Sequence, residues 1–340
     1  MPDATPGPIV VLGVFVADTA FRAPRQPRLG ETILGERFTL GPGGKGSNQV
    51  VAAARAAGPS GARAHIVTRL GQDAFAELAL STWAAAGVVA RVERSPESYT
   101  GAAYIFLEAG TGQNAIIVAP GAAGLISEAD VDGWADLIRS ASVFVTQLEQ
   151  PLPAAIRALQ VAREAGVTTI LNPAPAAVLP AGTLALCDWV TPNESEAEAL
   201  TGVAVTDAVT AEAAARRLVA MGAGGAPRGL ARGLAGGLAG GPSERSPGRS
   251  PGGVVVTLGA QGALLLHEGV ATAFPVVRAG AVVDTTGAGD AFNGGFAVAL
   301  SEGRTPAEAV RFGIATAGLS VTREGTAPAM PSRAEIDALL

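Results

Sequence analysis

Two short stretches of this chain put reactive side chains where a glycine-rich turn enters a helix. The first is Val283-Asp284-Thr285-Thr286-Gly287-Ala288-Gly289-Asp290-Ala291-Phe292-Asn293-Gly294-Gly295-Phe296. A β-like run over residues 280–283 feeds a small-residue turn, and an apolar-periodic segment begins at Ala291. The pattern predicts a strand, a Gly-Ala-Gly loop and a helix N-terminus, where unpaired backbone N–H groups and the helix dipole converge on an anion. A carboxylate at the mouth of an anion hole repels phosphate, so Asp290 needs a reason to be there. A general base that strips a proton from an attacking hydroxyl is one; the N-cap of an ordinary turn is the other.

The second stretch is Gly41-Pro42-Gly43-Gly44-Lys45-Gly46-Ser47-Asn48-Gln49. It is not a Walker A loop, because Gly46 follows Lys45 and position 39 is Thr. Paired glycines beside Lys and Asn allow close backbone approach and a hinge, while Asn48 offers hydroxyls both a donor and an acceptor. A flexible loop with a helix cap would look the same. Asp18 follows the first apolar strand, where a carboxylate could receive hydrogen bonds from a polyol or cap a helix. Gln147-Leu148-Glu149-Gln150-Pro151 and Leu171-Asn172-Pro173-Ala174-Pro175-Ala176 also end apolar runs. Thr191-Pro192-Asn193-Glu194-Ser195-Glu196-Ala197-Glu198 crowds carboxylates at a helix start, either for capping or for water-mediated Mg²⁺ binding. Thr257 to Gly262 reads as an ordinary hairpin turn.

The elements that must position these groups follow from periodicity. Residues 9–16 form a continuous apolar run, expected of a strand buried on both faces. Residues 31–40 read as exposed strand, 46–57 as helix, 65–70 as strand and 73–86 as a helix capped by Asp73 and stopped at Gly87. Short alternating runs over 88–118 suggest antiparallel strands. Beyond residue 130, helices (131–139, 153–165, 194–200, 208–221) alternate with apolar strands (143–147, 167–171, 189–191, 254–258). That alternation is the signature of βαβ units and a mostly parallel, doubly wound sheet, whose ligands sit beyond the carboxyl ends of the strands. The chemically interesting motifs follow strand ends.

Bulk properties remove several classes. A net charge of −6 argues against nonspecific nucleic-acid binding, which needs a basic face. The single cysteine, Cys187, rules out a disulfide framework or cysteine metal cluster and fits a reducing cytoplasm. The N-terminus lacks a signal-peptide pattern, and no apolar run approaches the roughly 18 residues of a membrane span. No Gly-x-Gly-x-x-Gly follows the first strand, which speaks against a dinucleotide-binding dehydrogenase. Residues 222–253 are almost entirely Gly, Ala, Leu, Pro, Arg and Ser. They read as a mobile insertion away from the expected site, with a basic interaction segment (Arg228, Arg232, Arg245, Arg249) as the alternative.

At these separations the two glycine-rich blocks resemble the two signatures of the ribokinase-like (PfkB-type) carbohydrate kinases. Gly-Gly-Lys-Gly-Ser-Asn-Gln, Gln-Leu-Glu, Leu-Asn-Pro-Ala-Pro, Thr-Pro-Asn-Glu-Ser-Glu-Ala-Glu, Thr-Leu-Gly, Asp-Thr-Thr-Gly-Ala-Gly-Asp and Val-Thr-Arg-Glu-Gly stand in that family's order. The likeness runs from about Ile9 to the C-terminus, interrupted by residues 222–253. It implies an α/β fold, a single domain over 1–340, with a central, mainly parallel, doubly wound sheet flanked by helices. It also implies a small β-strand lid at roughly 14–43 and 88–118.

The activity implied is ATP-dependent phosphorylation of a sugar, D-ribose foremost, at its 5-hydroxyl. Another acceptor (fructose, deoxyribose, adenosine) and a non-catalytic sugar-binding regulator remain open; the few lid aromatics (Tyr99, Tyr104, Phe106) speak against a stacked nucleoside. By resemblance Asp290 is the base and Gly287, Ala288 and Gly289 form the anion hole. Asp18, Gly44, Lys45, Gly46, Ser47, Asn48 and Glu149 match sugar-binding positions. Asn193 and Glu196 match positions near Mg²⁺ and the phosphates. Thr257, Leu258, Gly259, Ala260, Gln261 and Gly262 match the nucleotide turn, with Gly289 at the phosphates and Ile314 near adenine. Asp284, Thr286, Ser320, Arg323, Gly325 and Ala329 match an activating K⁺ site. Lids of this kind commonly pair into homodimers. Two departures stand out: Val16 replaces an Asn that touches the sugar in ribose-phosphorylating members, and Ile314 replaces a polar or His residue.

Overall fold

The computed structural model describes residues 7–59, 61–225 and 252–340. In chain order its strands are β1 (Ile9–Leu12), β2 (Val16–Ala23), β3 (Arg37–Gly43), β4 (Ala64–Leu70), β5 (Val89–Arg94), β6 (Thr100–Glu108), β7 (Asn114–Gly121), β8 (Val143–Thr146), β9 (Thr168–Leu171), β10 (Trp189–Val190), β11 (Gly253–Thr257), β12 (Ala263–His267) and β13 (Val270–Phe274). The helices are α1 (Lys45–Ala57), α2 (Ala74–Ala86), α3 (Glu128–Gly133), α4 (Ala135–Arg139), α5 (Leu152–Glu164), α6 (Glu194–Thr201), α7 (Ala208–Ala220), α8 (Ala288–Ser301), α9 (Pro306–Ser320) and α10 (Arg333–Leu339).

The main sheet runs β13-β12-β11-β10-β9-β8-β1-β4-β5, parallel from β11 to β5 with an antiparallel edge at β12 and β13. Its central strand β1 is apolar throughout because both faces are covered. Ile9 and Val11 of β1 enter the core beneath α1, α2, α8 and α9, while Val10 and Leu12 enter the core beneath α3 to α7. Helix boundaries follow local chemistry. Asp73 caps α2 by accepting from the Ala76 N–H, and Gly87 ends it in the left-handed region at φ 76°. Asn193 and Glu196 form a reciprocal capping box on α6.

A second sheet, β3-β2-β6-β7, stands over the carboxyl end of the first. Its central pair, β2 and β6, is parallel and its outer pairs are antiparallel. Phe21, Phe38, Leu40, Ile116, Ile117 and Val118 of this sheet are exposed.

Several elements differ from the sequence expectation. The apolar run 9–16 is not one strand: β1 stops at Leu12 and the chain re-enters as β2 of the small sheet. Gly13 makes the exit possible, since a Cβ there would lie 2.6 Å from the Gly46 Cα and 2.4 Å from Gln147 Oε1. Asp18 therefore sits inside β2, neither ending a core strand nor capping a helix. Residues 89–94 are not lid: β5 pairs parallel with β4 at the edge of the main sheet, where one-sided cover by α2 produces the alternation of an exposed strand. Residues 280–283 form no strand. Val282 and Val283 are exposed and the Val283 N–H donates to Val321 O at the end of α9, so the segment has no partner strand. The expected helix over 131–139 is two short helices meeting at Trp134. Of the Gly/Pro/Arg segment only residues 222–225 and 252–253 are described; Arg228, Arg232, Arg245 and Arg249 lie outside the described residues.

Candidate active site

Asp290 sits in the first turn of α8, behind the N-cap Gly287, which adopts φ 77°. The amides of Gly289 and Asp290 precede any intrahelical acceptor. A Cβ added at Gly289 would meet nothing within 4 Å, so the turn faces open space. The Asp290 side chain is buried. Its Oδ2 accepts from Asn48 Nδ2 at 3.0 Å and its Oδ1 from Gln49 Nε2 at 3.0 Å. Burial raises its pKa, while the Lys45 ammonium and the two amide donors oppose that rise and favour the ionised base.

Behind the carboxylate runs a chain of buried amides. Gln147 Nε2 donates to Gln49 Oε1 at 2.6 Å, and Gln49 Nε2 also donates to Asn172 Oδ1 at 3.0 Å. Asn172 Nδ2 donates to Thr191 O, Thr191 Oγ1 donates to Asn293 Oδ1, and Asn293 Nδ2 donates to Gly289 O at 2.8 Å. The strand ends after β8, β9 and β10 are thus tied to the first turn of α8, which fixes both the base and the backbone around it.

The α1 entry forms the neighbouring wall. Gly44 is its N-cap at φ 87°, and a Cβ there would stand 2.6 Å from Val14 O. The Lys45 N–H donates to Glu149 Oε2 at 2.8 Å. Burial pushes Glu149 up to about 7 against the pull of Lys45, and pushes Asp18 up to about 6. Burial also works against the Lys45 ammonium, but Asp290, Glu149 and Glu196 more than offset it and hold its pKa above the ordinary value. Gly43 lies against Asp18: a Cβ there would fall 2.2 Å from Oδ2. Asn48 Oδ1 and Gln147 Oε1 are buried without a partner, the one sharing its amide with the donor to Asp290. An acceptor such as Asn48 Oδ1, in the amide that donates to the Asp290 carboxylate, suits a polyhydroxylated ligand.

A pocket joins the two helix starts and is lined by Lys45, Asn193, Glu196, Thr257, Gly287, Ala288, Gly289 and Asp290, with Asn172, Ala174, Thr191, Thr285 and Asn293. Glu196 accepts from the Asn193 N–H and Nδ2 and has a raised pKa from burial. Thr257 ends β11, its N–H donating to Pro192 O, so the nucleotide-turn candidates start beside α6. Leu258, Gly259, Ala260, Gln261 and Gly262 form the β11–β12 turn, with Leu258 buried and a Cβ at Gly262 excluded by Phe274 O at 2.0 Å. Ile314 is buried in the core with α9.

Asp284 binds the Thr286 N–H through Oδ1 at 2.9 Å and the Gly325 N–H through Oδ2 at 3.0 Å. Burial works against its charge, but these donors hold its pKa below the usual range. Ser320 Oγ donates to Ala317 O, Arg323 pairs with Glu335, and Ala329 lies in the turn Ala327–Ala329. Among the described residues no three His, Cys, Asp or Glu side chains cluster as metal ligands. Asn193 and Glu196 line the pocket beside the Gly287-Ala288-Gly289 turn, and such oxygen donors fit a hydrated Mg²⁺.

Not every expected residue reaches the site. Ser47 is fully buried and accepts from Trp83 Nε1 at 2.9 Å, and Gly46 packs on Gly13, so both serve packing of α1. Sequence reasoning did not assign Gln49, Asn172, Thr191 or Asn293 to the site, although each lies inside a motif that ends a strand or starts a helix. Polar side chains at strand ends and helix starts are the signal that marks them.

Fold and site together are those of a sugar-phosphorylating class of enzyme. The model of the pfkB family of carbohydrate kinases matches residues 8–226 and 248–333, and the chain belongs to that family. It is therefore a phosphotransferase with an alcohol group as acceptor. It is 34% identical over 330 residues to the ribokinase of Haemophilus influenzae, covering 96% of each chain. It is 32% identical over 326 residues to a deoxyribokinase of Salmonella typhi, covering 95% of each. The structure of Arabidopsis thaliana ribokinase complexed with ribose and ATP superimposes with a TM-score of 0.82 at 30% identity, covering 99% of each chain.

Proposed function

We propose that this chain transfers the γ-phosphoryl group of ATP to the 5-hydroxyl of D-ribose, giving D-ribose 5-phosphate. The observation that carries the reading is the Asp290 carboxylate, buried at the start of α8 and held by Asn48 and Gln49 beside an unpartnered Asn48 Oδ1. Asp18, Lys45, Asn48 and Glu149 hold the sugar hydroxyls. Asp290 accepts the proton of the attacking hydroxyl as the phosphoryl group transfers, a role worth on the order of 10²–10⁴ in rate. The amides of the Gly287-Ala288-Gly289 turn receive charge on the transferring oxygens, and the helix dipole adds to them. The turn Thr257 to Gly262 and Ile314 take the nucleotide. Asn193 and Glu196 would hold Mg²⁺, which would supply charge neutralisation at the phosphates. Asp284, Thr286, Ser320, Arg323, Gly325 and Ala329 would hold K⁺, which would supply order to the anion-hole loop. The enzyme works in the cytoplasm as a homodimer paired through its exposed lid sheet.

A second acceptor is favoured by one observation. Val16 is buried and shares the β2 face of Asp18, so an apolar wall stands where a hydroxyl of ribose would want a partner. 2-Deoxyribose is the acceptor that such a wall suits. Initial rates with ATP on D-ribose, 2-deoxy-D-ribose, D-fructose and adenosine test the reading. The highest kcat/KM is expected on D-ribose; preference for another acceptor overturns the substrate, and no turnover on any overturns the kinase.

A further inference from the structure

Thr326 touches both halves of the site. Its hydroxyl donates to Pro42 O at 2.7 Å. Pro42 stands between Gly41, which is opposite Asp18 in the β2–β3 ladder, and Gly43, which abuts the Asp18 carboxylate. On its other side, the Thr326 methyl lies 3.3 Å from the place a Cβ on Gly287 would occupy. Thr326 is 6% exposed, so this hydroxyl cannot turn to solvent for a substitute partner.

The residues around it make the contact stiff. The preceding Gly325 has φ 85° and gives its N–H to Asp284, whose other oxygen takes the Thr286 N–H. The residues after Thr326 close at once into the turn Ala327–Ala329, with Pro328 inside it. The two loops around Asp284 and Gly325 are therefore cross-linked through the Asp284 carboxylate. Among the described hydrogen bonds, the Thr326 hydroxyl is the one that ties this pair of loops to the base of the lid. The path from Asp18 to Gly287 passes through Gly43, Pro42 and Thr326, without crossing α1.

We infer that Thr326 is a positioning residue whose hydroxyl transmits the position of the lid to the Gly287-Ala288-Gly289 turn. This rests on the phosphoryl-transfer reading. A sugar that draws the lid down also sets the turn that receives the phosphoryl group, and a bound nucleotide reciprocally steadies the lid. The coupling is limited by the contact that carries it, one neutral hydrogen bond, which corresponds to roughly 2- to 13-fold in an equilibrium constant.

Two pairs of variants separate hydroxyl from methyl: Thr326→Val against wild type, and Thr326→Ala against Thr326→Ser. The second pair serves even if the valine variant does not fold. Hydrogen–deuterium exchange is read in peptides covering 37–44 and 284–290. Loss of the hydroxyl is expected to speed exchange in both peptides, with Thr326→Ser close to wild type. In kinetics, the ratio of affinities for a non-hydrolysable ATP analogue with and without sugar should fall roughly 2- to 13-fold in the hydroxyl-less variants and stay near wild type in Thr326→Ser. Loosening of only one peptide, or a serine variant that behaves like the alanine variant, overturns the inference. A wild type without phosphoryl transfer would defeat the kinase reading, while the exchange experiment would still decide whether the hydroxyl links the two segments.

Discussion

The two glycine-rich turns look alike in sequence and serve opposite purposes. Entering α1, the glycines are packed solid: a Cβ at Gly43, Gly44 or Gly46 would come within 2.2, 2.6 and 2.5 Å of a neighbour. Their amides are used internally, the Lys45 N–H on Glu149 and the Ser47 N–H on Val14 O. Entering α8, Gly289 borders empty space. One set of glycines lets the chain pack against backbone and the Asp18 carboxylate; the other leaves room for a ligand. Asp290 then draws its two donors, Asn48 and Gln49, from the packed helix. The solid turn is the jig and the open turn is the workpiece.

Substitutions can break that contrast in order of severity. Asp290→Asn should keep the fold and sugar binding yet lower kcat by roughly 10²–10⁴, since a positioned base is removed while the asparagine oxygen still takes one of the two amide donors. Steady-state kinetics on purified protein decide it, and unchanged turnover would sink the assignment. Gly289→Ala should leave the melting temperature near wild type because its Cβ meets nothing. It should still lower kcat on the order of 10- to 10³-fold by crowding the oxygens that the turn receives. Gly46→Ala should do the reverse. With the Gly13 Cα only 2.5 Å from the new Cβ, it should cost about 1–3 kcal/mol in denaturant unfolding. Equal melting temperatures for the two alanine variants would erase the distinction.

A pH series sharpens the same comparison, because the packed turn holds a buried acid. Glu149 rises from the usual 4.5 to about 7 in the folded protein. Between those values the native state keeps a proton that the unfolded state has lost. Stability attributable to Glu149 is thus full at low pH and declines as pH climbs through this window. Thermal melts from pH 5 to 8 should show that decline, and Glu149→Gln should reduce it, leaving the part below about pH 6 that the raised Asp18 contributes; a steeper slope in the variant would refute the cause. The smallest effect is at the sugar wall. Val16→Asn should lower KM for D-ribose roughly 2- to 13-fold if ribose is the acceptor, the worth of one recovered hydrogen bond. If a deoxy sugar fills that wall, the variant should instead weaken it by leaving an amide unpaired.

What the sequence disclosed and what it hid divide along physical lines. Helix starts carry their information locally, so spacing alone puts Asp290, Lys45, Asn48 and the Asn193–Glu196 cap at helix entries, whereas their site roles come only from the resemblance to the family. The amide chain could not be placed locally, because Gln49 meets Asn172 and Asp290 across 123 and 241 residues of sequence. Residues 280–283 have the composition of a strand and lack only a neighbour to pair with. The edge strand β5 alternates like lid strand because only one of its faces is covered. Local pattern reports what a segment is able to form, and pairing decides what it does form.

The parallel β2–β6 pair also bears on how the protein emerges from the ribosome. Thr19 waits for Ala103, 84 residues later, before its hydroxyl finds the carbonyl it serves. At roughly 5–20 residues per second, that delay is about 4–17 s. During it the β2–β3 hairpin, bearing the Phe21 and Phe38 rings at 5.0 Å, offers an unfilled edge to any passing strand. The nascent chain therefore carries this open edge from synthesis of the first lid hairpin until synthesis of the second, well before any part of the anion hole has been translated.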